Sequence, residues 1–322
     1  MNILVTGAAG FLGSHLCDHF LNQGHTVTGI DNFFRGKREN LPDHGRFYFH
    51  ELDLTQKTGD INDIVRAGDF DWVLHYAAIN GTKYFYDIPT RVFDDNYKMT
   101  LNVLEACRGS NTVKKFGYAS SSEVYGNCPV IPTPESESVI LNVFEHRDSY
   151  AAAKAFGDFM TKLYCEEMGI EYLTFRIFNA YGPRMDNTEY GQVIPEFFRK
   201  ALDPERFQLI GDGKQTRSFC YVEDHVKMID AAMSKMSNEV VNIGNDELVT
   251  IMDLASRVCK IVGKNFDPEF LPPRSYDTQR RQPDLRLIKK YYKEGTKSLD
   301  AGLTMMHKSL LAKEVHKNAK PN

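Results

Sequence analysis

Two residues of this chain, Tyr150 and Lys154, have the types and the spacing that acid–base chemistry needs. On a helix, a spacing of four residues puts both side chains on one face, about one turn apart. An ammonium group beside a phenol lowers the pKa of the phenol. A shift from about 10 toward 7 takes roughly 4 kcal/mol of differential interaction, after which Tyr150 could act as a general base near neutral pH. Ser121 ends the strand predicted before this helix and is a third candidate.

A glycine-rich turn near the start of the chain is typical of a site for dinucleotide phosphates. Residues 1–6 form an apolar strand pattern, a G-x-x-G-x-x-G motif follows, and a helical pattern begins directly after it. Gly7 permits the tight turn, Gly10 lets the backbone approach a pyrophosphate, and Gly13 lets the helix lie close to the strand. Free N–H groups at the helix start would then face the phosphates. The residues predicted to bind the cofactor here are Gly7, Gly10, Phe11, Leu12 and Gly13.

A second strand pattern, at 26–30, leads into Asp31 and Asn32, which we also predict to bind the cofactor. An acidic residue at this place accepts hydrogen bonds from the adenosine ribose hydroxyls and repels a 2′-phosphate. The sequence therefore predicts NAD rather than NADP, and the positive charge of an oxidised nicotinamide would lower the pKa of Tyr150 together with Lys154. The nearby cations Arg35, Lys37 and Arg38 would weaken that preference.

Composition excludes several classes of protein. The chain has 322 residues, and its net charge of −4 argues against a nucleic-acid-binding surface. It has no run of 18 apolar residues, so we expect no membrane span. The six cysteines lack C-x-x-C spacing and the histidines lack H-x-x-x-H spacing, so we expect reduced thiols and no metal site. The first residues already form a core strand, so we expect no signal peptide and a cytoplasmic location.

Strand and helix patterns alternate through the first half of the chain. This alternation predicts an α/β fold of the Rossmann type, with a doubly wound parallel sheet that binds ligands at the carboxyl ends of its strands. Further strands are predicted at 47–52, 72–76, 116–120 and 172–177, and long helices at 90–108 and 149–168.

The character of the sequence changes after about residue 181, where prolines and glycines come in short bursts. We predict a cofactor-binding domain with the catalytic residues over 1–180 and a smaller, irregular C-terminal lobe that mainly binds substrate over 181–312. The last residues, 313–322, are polar and basic and are predicted to form a frayed tail.

Several ordered motifs together make the chain resemble one family over about residues 1–300. It is similar to the extended short-chain dehydrogenase/reductases that modify nucleotide sugars, which include 4-epimerases, 4,6-dehydratases and UDP-glucuronate decarboxylase. By its motifs it is nearest to the decarboxylase. The motifs are GAAGFLG at 7–13, DL at 53–54, HYAA at 75–78, SSSEVYG at 120–126, SYAAAK at 149–154, RIFNAYGPR at 176–184, QTRSF at 215–219 and RRQPD at 280–284.

The resemblance implies a shared reaction, which is oxidation of the sugar at carbon 4 to a 4-keto sugar. Ser121 would hydrogen-bond the hydroxyl being oxidised, Tyr150 would remove its proton, and NAD would accept the hydride. Lys154 would hold the nicotinamide ribose. Further cofactor residues implied by the resemblance are Asp53 and Leu54, which would contact the adenine, and Ala77.

The resemblance also implies the residues that bind the nucleotide sugar. Arg217 and Arg281 match the cations that hold the substrate phosphates, and a guanidinium fork suits phosphate geometry. The alternative for each arginine is a surface salt bridge. Asn179 matches a contact to the diphosphate region. The remaining candidate substrate residues are Lys83, Ser122 and Arg184.

The residues after Ser121 help to separate the reactions within the family. Dehydratases have Asp-Glu there, but this chain has Ser122, which disfavours 4,6-dehydration. Simple 4-epimerases usually lack the glutamate, so Glu123 is a candidate catalytic residue. Its alternative role is a contact to a sugar hydroxyl or support of such a contact.

Some segments differ from the decarboxylase pattern. The stretch 79–86 replaces the usual loop over the sugar, Gln192 stands where an arginine is common, and a Gly-Trp-x-Pro signature near 295 is missing. Epimerisation and a 4-dehydrogenase that releases the keto sugar therefore remain alternatives. A catalytically dead NAD-binding sensor or scaffold is a further alternative, although such proteins typically lose the tyrosine or the lysine.

The helices at 90–108 and 149–168 carry apolar residues beyond one stripe. The resemblance implies that they pair with their copies in a four-helix interface of a homodimer. The alternative is that both helices simply face the sheet.

Overall fold

The computed structural model describes residues 1–56, 59–188, 190–203, 207–272 and 279–318, the last six of these by their backbone alone. The strands are β1 (Asn2–Thr6), β2 (Thr26–Asp31), β3 (Phe47–Glu51), β4 (Trp72–His75), β5 (Lys115–Ser121), β6 (Glu171–Ile177), β7 (Ala180–Tyr181), β8 (Gln208–Ile210), β9 (Thr216–Ser218), β10 (Cys220–Tyr221), β11 (Glu239–Ile243), β12 (Leu248–Thr250), β13 (Glu269–Leu271) and β14 (Arg280–Arg281). The helices are α1 (Phe11–Asn22), α2 (Gly59–Ala67), α3 (Tyr84–Asp87), α4 (Pro89–Arg108), α5 (Asp148–Met168), α6 (Val193–Leu202), α7 (Val222–Lys235), α8 (Ile251–Val262) and α9 (Leu299–Asn318). Short 3₁₀ turns span Arg38–Asn40, Ser122–Tyr125 and Ile288–Lys290.

A parallel sheet of seven strands, counted over the described residues, forms the centre of the fold in the order β11-β6-β5-β4-β1-β2-β3. The chain moves outward from β1 through β2 to β3, then returns to the other side of β1 and continues through β4, β5 and β6. The order of the strands therefore reverses between β1 and β4. Such a switch point leaves a crevice at the carboxyl ends of the two strands.

Helices cover both faces of the sheet because its central strands are apolar on both sides. Ile3 and Val5 point into one layer, which also contains Leu16 of α1. Leu4 between them points into the opposite layer, which contains Val103 of α4. This period-two alternation between two buried layers is that of a doubly wound sheet. The predicted Rossmann-type fold class is confirmed.

The second half of the chain forms small sheets and also contributes to the large one. One of the small sheets is β12-β9-β14, which sets Arg217 beside Arg281 in register. However, β11 pairs with β6 in the main sheet and α7 packs on α1. The sheet is thus not complete within 1–180, because its last strand comes from the segment 181–312.

The C-terminal helix α9 extends into the segment 313–322, which the sequence predicts to be a frayed tail. Leu299, Leu303 and Met306 are buried at the spacing of one helix face, and this burial anchors α9. Its backbone continues to Asn318, so the segment 313–322 begins inside a helix, and 319–322 lie outside the described residues. None of the described helices combines the length and the apolarity of a membrane span.

Candidate active site

A cavity of about 750 Å³ opens at the carboxyl ends of the central strands, where the sheet order reverses. It contains one wall built from the glycine turn and another built from the start of α5. Every site residue predicted from the sequence lines this cavity: Gly7, Gly10, Phe11, Leu12, Gly13, Asp31, Asn32, Asp53, Leu54, Ala77, Lys83, Ser121, Ser122, Glu123, Tyr150, Lys154, Asn179, Arg184, Arg217 and Arg281. The fold therefore brings together groups that are up to 274 positions apart in the chain (Gly7 and Arg281).

The glycine turn has the shape of a cradle for a dinucleotide. Gly7 has a φ of +71°, and a Cβ at Gly13 would lie 2.1 Å from the carbonyl oxygen of Gly7. Larger residues at these positions would push α1 away from β1. No side chain caps the start of α1 at Gly10, so the first N–H groups of the helix are available for phosphate oxygens. The residues present fit the pyrophosphate of NAD.

Asp31 ends β2 and lies beside the glycine turn. Its carboxylate accepts hydrogen bonds from the backbone N–H groups of Ala9 at 3.0 Å and Phe33 at 2.7 Å. Burial raises the pKa of Asp31, and these backbone hydrogen bonds oppose the rise. Of the nearby cations, Arg35 binds Asp186 and Arg38 binds Glu51. Both arginines are thus already engaged by carboxylates.

Ser121, Tyr150 and Lys154 meet on the opposite wall. Ser121 ends β5, and its side chain hydrogen-bonds that of Tyr150 in the first turn of α5. The Lys154 Nζ lies 5.7 Å from the centre of the Tyr150 ring and 4.9 Å from that of Tyr118. All three site residues are buried. The helical spacing of Tyr150 and Lys154 therefore places both side chains beside the same strand end.

Burial sets the charge states of the side chains on this wall. Burial raises the pKa of Tyr150, Glu123 raises it further, and Ser121 and Arg35 lower it. Burial also lowers the pKa of Lys154 to about 7, against the opposing effect of Asp158. In the protein alone the dry wall disfavours both charged forms, and the lowering of the Tyr150 pKa by Lys154 together with an oxidised nicotinamide stays a prediction.

Glu123 is held by two arginines. Both of its carboxylate oxygens accept hydrogen bonds from Arg281, one of them at 3.0 Å, and Arg147 donates to one of them at 3.3 Å. Burial alone would raise the pKa of Glu123, but Arg281 and Arg147 lower it to about 2. Glu123 is therefore ionised and cannot donate a proton in this arrangement. Arg281, expected at the substrate phosphates, binds a carboxylate of its own chain.

The other expected substrate residues occupy different parts of the cavity. Arg217 lies buried in β9 next to Arg281, and Asn179 donates to the carbonyl oxygen of Ser218 at 2.9 Å. Arg184 instead binds Asp18 of α1 at 2.7 Å, on the helix that begins at the glycine turn.

Lys83 forms an ion pair with Asp87 and lies 4.7 Å from the centre of the Tyr190 ring. Asp87 ends α3 and Tyr190 lies in the segment after β7, so Lys83, which itself lines the cavity, connects these two elements.

Sequence reasoning gave no individual role to Phe85, Arg147 or Asp158, which contact Tyr150, contact Glu123 and act on Lys154, respectively. Arg147 belongs to no motif used above, and its only signal is a cation three positions before Tyr150. Asp158 follows Lys154 by four positions, which is a spacing that predicts an ion pair on a helix. The described residues hold no group of three or more side chains suited to a metal ion.

A family model, that of the NAD dependent epimerase/dehydratase family, matches residues 3–244. The chain belongs to this family. The match confirms the family resemblance that the motifs indicated. It also confirms the enzyme class and the NAD cofactor.

Characterised members of the NAD-dependent epimerase/dehydratase family resemble most of the chain. UDP-glucuronic acid decarboxylase 1 of Xenopus tropicalis is 34% identical over 291 residues, which cover 89% of this chain and 66% of that protein. UDP-N-acetyl-alpha-D-glucosaminuronate decarboxylase of Bacillus cytotoxicus is 33% identical over 297 residues, which cover 89% and 90%.

Solved structures of family members have the same fold. UDP-glucose 4-epimerase of Thermotoga maritima with UDP-glucose superposes with a TM-score of 0.90 at 31% identity, covering 98% of this chain and all of that one. UDP-glucose 4-epimerase of Thermus thermophilus in complex with NAD gives a TM-score of 0.86 at 28% identity, covering 97% and 99%.

Proposed function

We propose that this protein oxidises carbon 4 of a nucleotide sugar with NAD, and that its reaction is decarboxylation of a UDP-glucuronate-like substrate. One observation carries the first part. The Ser121–Tyr150–Lys154 wall, the glycine cradle and the Arg217–Arg281 pair all line one cavity. A sugar between them would face a base on one side and a dinucleotide on the other, with its phosphates toward the arginines.

The side chains on the wall have separate tasks in this proposal. The chemistry that NAD would supply when bound is acceptance of a hydride from carbon 4 of the sugar and the later return of this hydride to the sugar. Ser121 orients the 4-hydroxyl group and Tyr150 takes its proton. Because burial makes the phenolate costly, Tyr150 needs a cation beside it in the complete site. Lys154, with a pKa of about 7, is such a cation for only part of the molecules near neutral pH.

The charge around Glu123 supports an acidic sugar. Arg147 and Arg281 carry two positive charges against the single negative charge of Glu123, and Glu123 acts electrostatically on Tyr150. Two guanidinium groups therefore lie at the reacting end of the cavity, and a guanidinium group suits a sugar carboxylate. Oxidation at carbon 4 makes a uronate a β-keto acid. Its carbon 5–carbon 6 bond breaks, the electron pair moves toward the keto oxygen, carbon dioxide leaves, and carbon 5 takes up a proton.

One observation favours a second candidate, a sugar 4-epimerase. Glu123 is held as an anion, and epimerisation at carbon 4 needs no acidic carboxyl group beyond the Ser–Tyr–Lys wall. The similarity to UDP-glucose 4-epimerases supports this alternative.

Product analysis by mass spectrometry tests the proposal. The full chain is incubated with UDP-, GDP- and dTDP-sugars, with and without added NAD. We expect loss of carbon dioxide from UDP-glucuronate. Tyr150→Phe should lower turnover by roughly 100- to 10,000-fold, because it removes the proton acceptor, while NAD binding is retained.

The other products separate the alternatives. An unchanged mass with altered stereochemistry means an epimerase, loss of two hydrogens with stoichiometric NADH means a 4-dehydrogenase, and loss of water means a dehydratase. Normal turnover by Tyr150→Phe would remove the proposed base. Binding of NAD without any reaction on the whole panel would favour a sensor.

A homodimer is also proposed, and exposed apolar residues support it. Phe156, Phe159 and Leu163 are 52%, 64% and 59% exposed on α5. Phe93 of α4 packs edge-to-face against Phe156 with 5.8 Å between ring centres, so the apolar surface continues onto α4. We propose that a second copy covers this face.

We further propose a cytoplasmic location. All six cysteines are free and five of them are buried, which suits a reducing compartment.

A further inference from the structure

The ring of Phe85 lies flat on the ring of Tyr150. The two ring centres are 4.9 Å apart and the planes differ by 14°. Both side chains are buried and form a small apolar cluster with Ile79 and Val92. Phe85 belongs to α3, in the segment between β4 and α4. One face of the Tyr150 ring is thus covered by a residue that no motif identified.

Hydrogen bonds to Asn96 of α4 fix the segment that leads into the N-terminal end of α3. Asn96 of α4 accepts a hydrogen bond from the N–H of Ile79 at 2.8 Å and donates one to its carbonyl oxygen at 3.0 Å. Asn96 is itself buried and also donates to the carbonyl oxygen of Val92. The start of the loop is therefore fixed to the same helix that provides Val92 to the apolar cluster.

The neighbouring aromatic residue holds α3 from the other side. The rings of Tyr84 and Tyr190 stack with 4.3 Å between their centres, and Arg35 lies over Tyr84 at 5.6 Å. Arg35 in turn binds Asp186 at 3.1 Å. These contacts connect α3 to the segment after β7. Phe85 thus belongs to a helix that is held by contacts on both sides, so it is not a freely rotating loop side chain.

We propose that Phe85 is a positioning residue for Tyr150, whose stacked ring fixes the orientation of the phenol and keeps water from its face. The inference rests on the proposed role of Tyr150 as the proton acceptor. A planar ring limits rotation of the tyrosine side chain in a way that a branched aliphatic residue of similar size does not. The same contact removes solvent from the phenol, which is consistent with the burial that raises the pKa of Tyr150.

The groups that face Tyr150 determine how its titration should respond. Lys154 faces it from α5, Ser121 and Tyr118 from β5, Glu123 from the turn after β5, and Arg35 from the loop after β2. Replacement of Phe85 leaves all five in place. The main change at Tyr150 is then access of water, which lowers its pKa, together with looser orientation.

Steady-state kinetics of Phe85→Leu from pH 6 to pH 10 test the proposal on the substrate that the wild-type protein turns over. We expect the plateau kcat to fall about 10- to 100-fold because the phenol is misplaced, and KM to change less than about twofold, since Phe85 does not act on the substrate phosphates. The midpoint of the pH profile should move to lower pH. Phe85→Tyr should retain kcat, because it keeps the planar ring.

Phe70→Leu is the matched control. Phe70 is also a buried aromatic residue, but it lies just before β4, at the amino-terminal end of that strand and away from the cavity. Phe70→Leu should leave both kcat and the midpoint of the pH profile unchanged. If Phe85→Leu behaves like Phe70→Leu, or if only KM changes, Phe85 has no positioning role.

A measurement without substrate separates this inference from the proposed function. Nitration of tyrosines by tetranitromethane, mapped by peptide mass spectrometry, reports access to the Tyr150 ring and its ionisation. We expect Tyr150 to react severalfold faster in Phe85→Leu than in the wild type or in Phe70→Leu. Equal rates would overturn the inference even in a protein that is active, and faster nitration would support it even if no nucleotide sugar reacts.

Discussion

Lys154 is a lysine in a place where a positive charge is costly. Its pKa in the folded protein, about 7, lies below the ordinary 10.5 because of burial. Between these two values Lys154 is protonated in the unfolded chain more often than in the folded one, so its own contribution makes the free energy of unfolding rise with pH, by up to ~1.4 kcal/mol per pH unit. Lys154→Met should remove this contribution between pH 7 and pH 9. Urea unfolding at several pH values measures it.

Lys114→Met provides the control for this experiment. Lys114 is mostly exposed and pairs with Asp71 outside the cavity. Its variant should keep the same dependence on pH as the wild type. A Lys154→Met protein with an unchanged slope would show that the ammonium is not desolvated.

At the scale of residues, the sequence predicted which side chains meet in the cavity but not the charge states of those side chains. The motifs correctly predicted that Ser121, Tyr150 and Lys154 meet, because strand ends and helix spacing determine that arrangement. The pKa of Tyr150 depends on how dry the wall is, and no spacing contains that information. The pairing of Glu123 with Arg281 joins positions 158 apart and follows from the packing of β14 against β9.

The start of α1 is the element with the least room for change. A Cβ at Gly13 would lie 2.1 Å from a backbone oxygen, which cannot move without moving the turn. We expect Gly13→Ala to destabilise the protein by about 1–3 kcal/mol and to weaken NAD binding, because the helix start would shift away from the phosphates. Thermal unfolding and calorimetric titration with NAD measure the two effects.

Gly45→Ala is a suitable comparison, since a Cβ there meets no atom within 4 Å. It should change neither the stability nor the affinity for NAD appreciably. Full NAD affinity in Gly13→Ala would mean that the cradle does not hold the phosphates.

Long periodic elements were predictable, and short or distant ones were not. The helix expected at 90–108 is α4 at Pro89–Arg108, and the strand expected at 116–120 is β5 at Lys115–Ser121. Strands of two or three residues, such as β7 and β9, are too short to show a period. The place of β11 beside β6 is a long-range pairing, which local sequence does not specify.

At the scale of the whole molecule, a second copy of the chain is the expected partner of the exposed aromatic face of α5. We expect light scattering at micromolar concentration to give a dimer for the wild type. Phe159→Glu should weaken dimerisation roughly 100-fold or more, since a buried charge would replace a central aromatic contact. Val143→Glu, at a more exposed apolar residue outside α4 and α5, should remain dimeric. A monomeric wild type would contradict the proposed assembly.

The position of β11 in the main sheet also affects the order in which the protein can fold during synthesis. β6 has one edge that stays open until β11 pairs with it, and β11 is made more than sixty residues later. At about 5–20 residues per second on the ribosome, that edge waits for roughly 3 to 12 seconds. An open, apolar strand edge is a template for pairing with other nascent chains. The cofactor-binding half is therefore most exposed to misassociation, and to capture by chaperones, in the interval between translation of Ile177 and of Ile243.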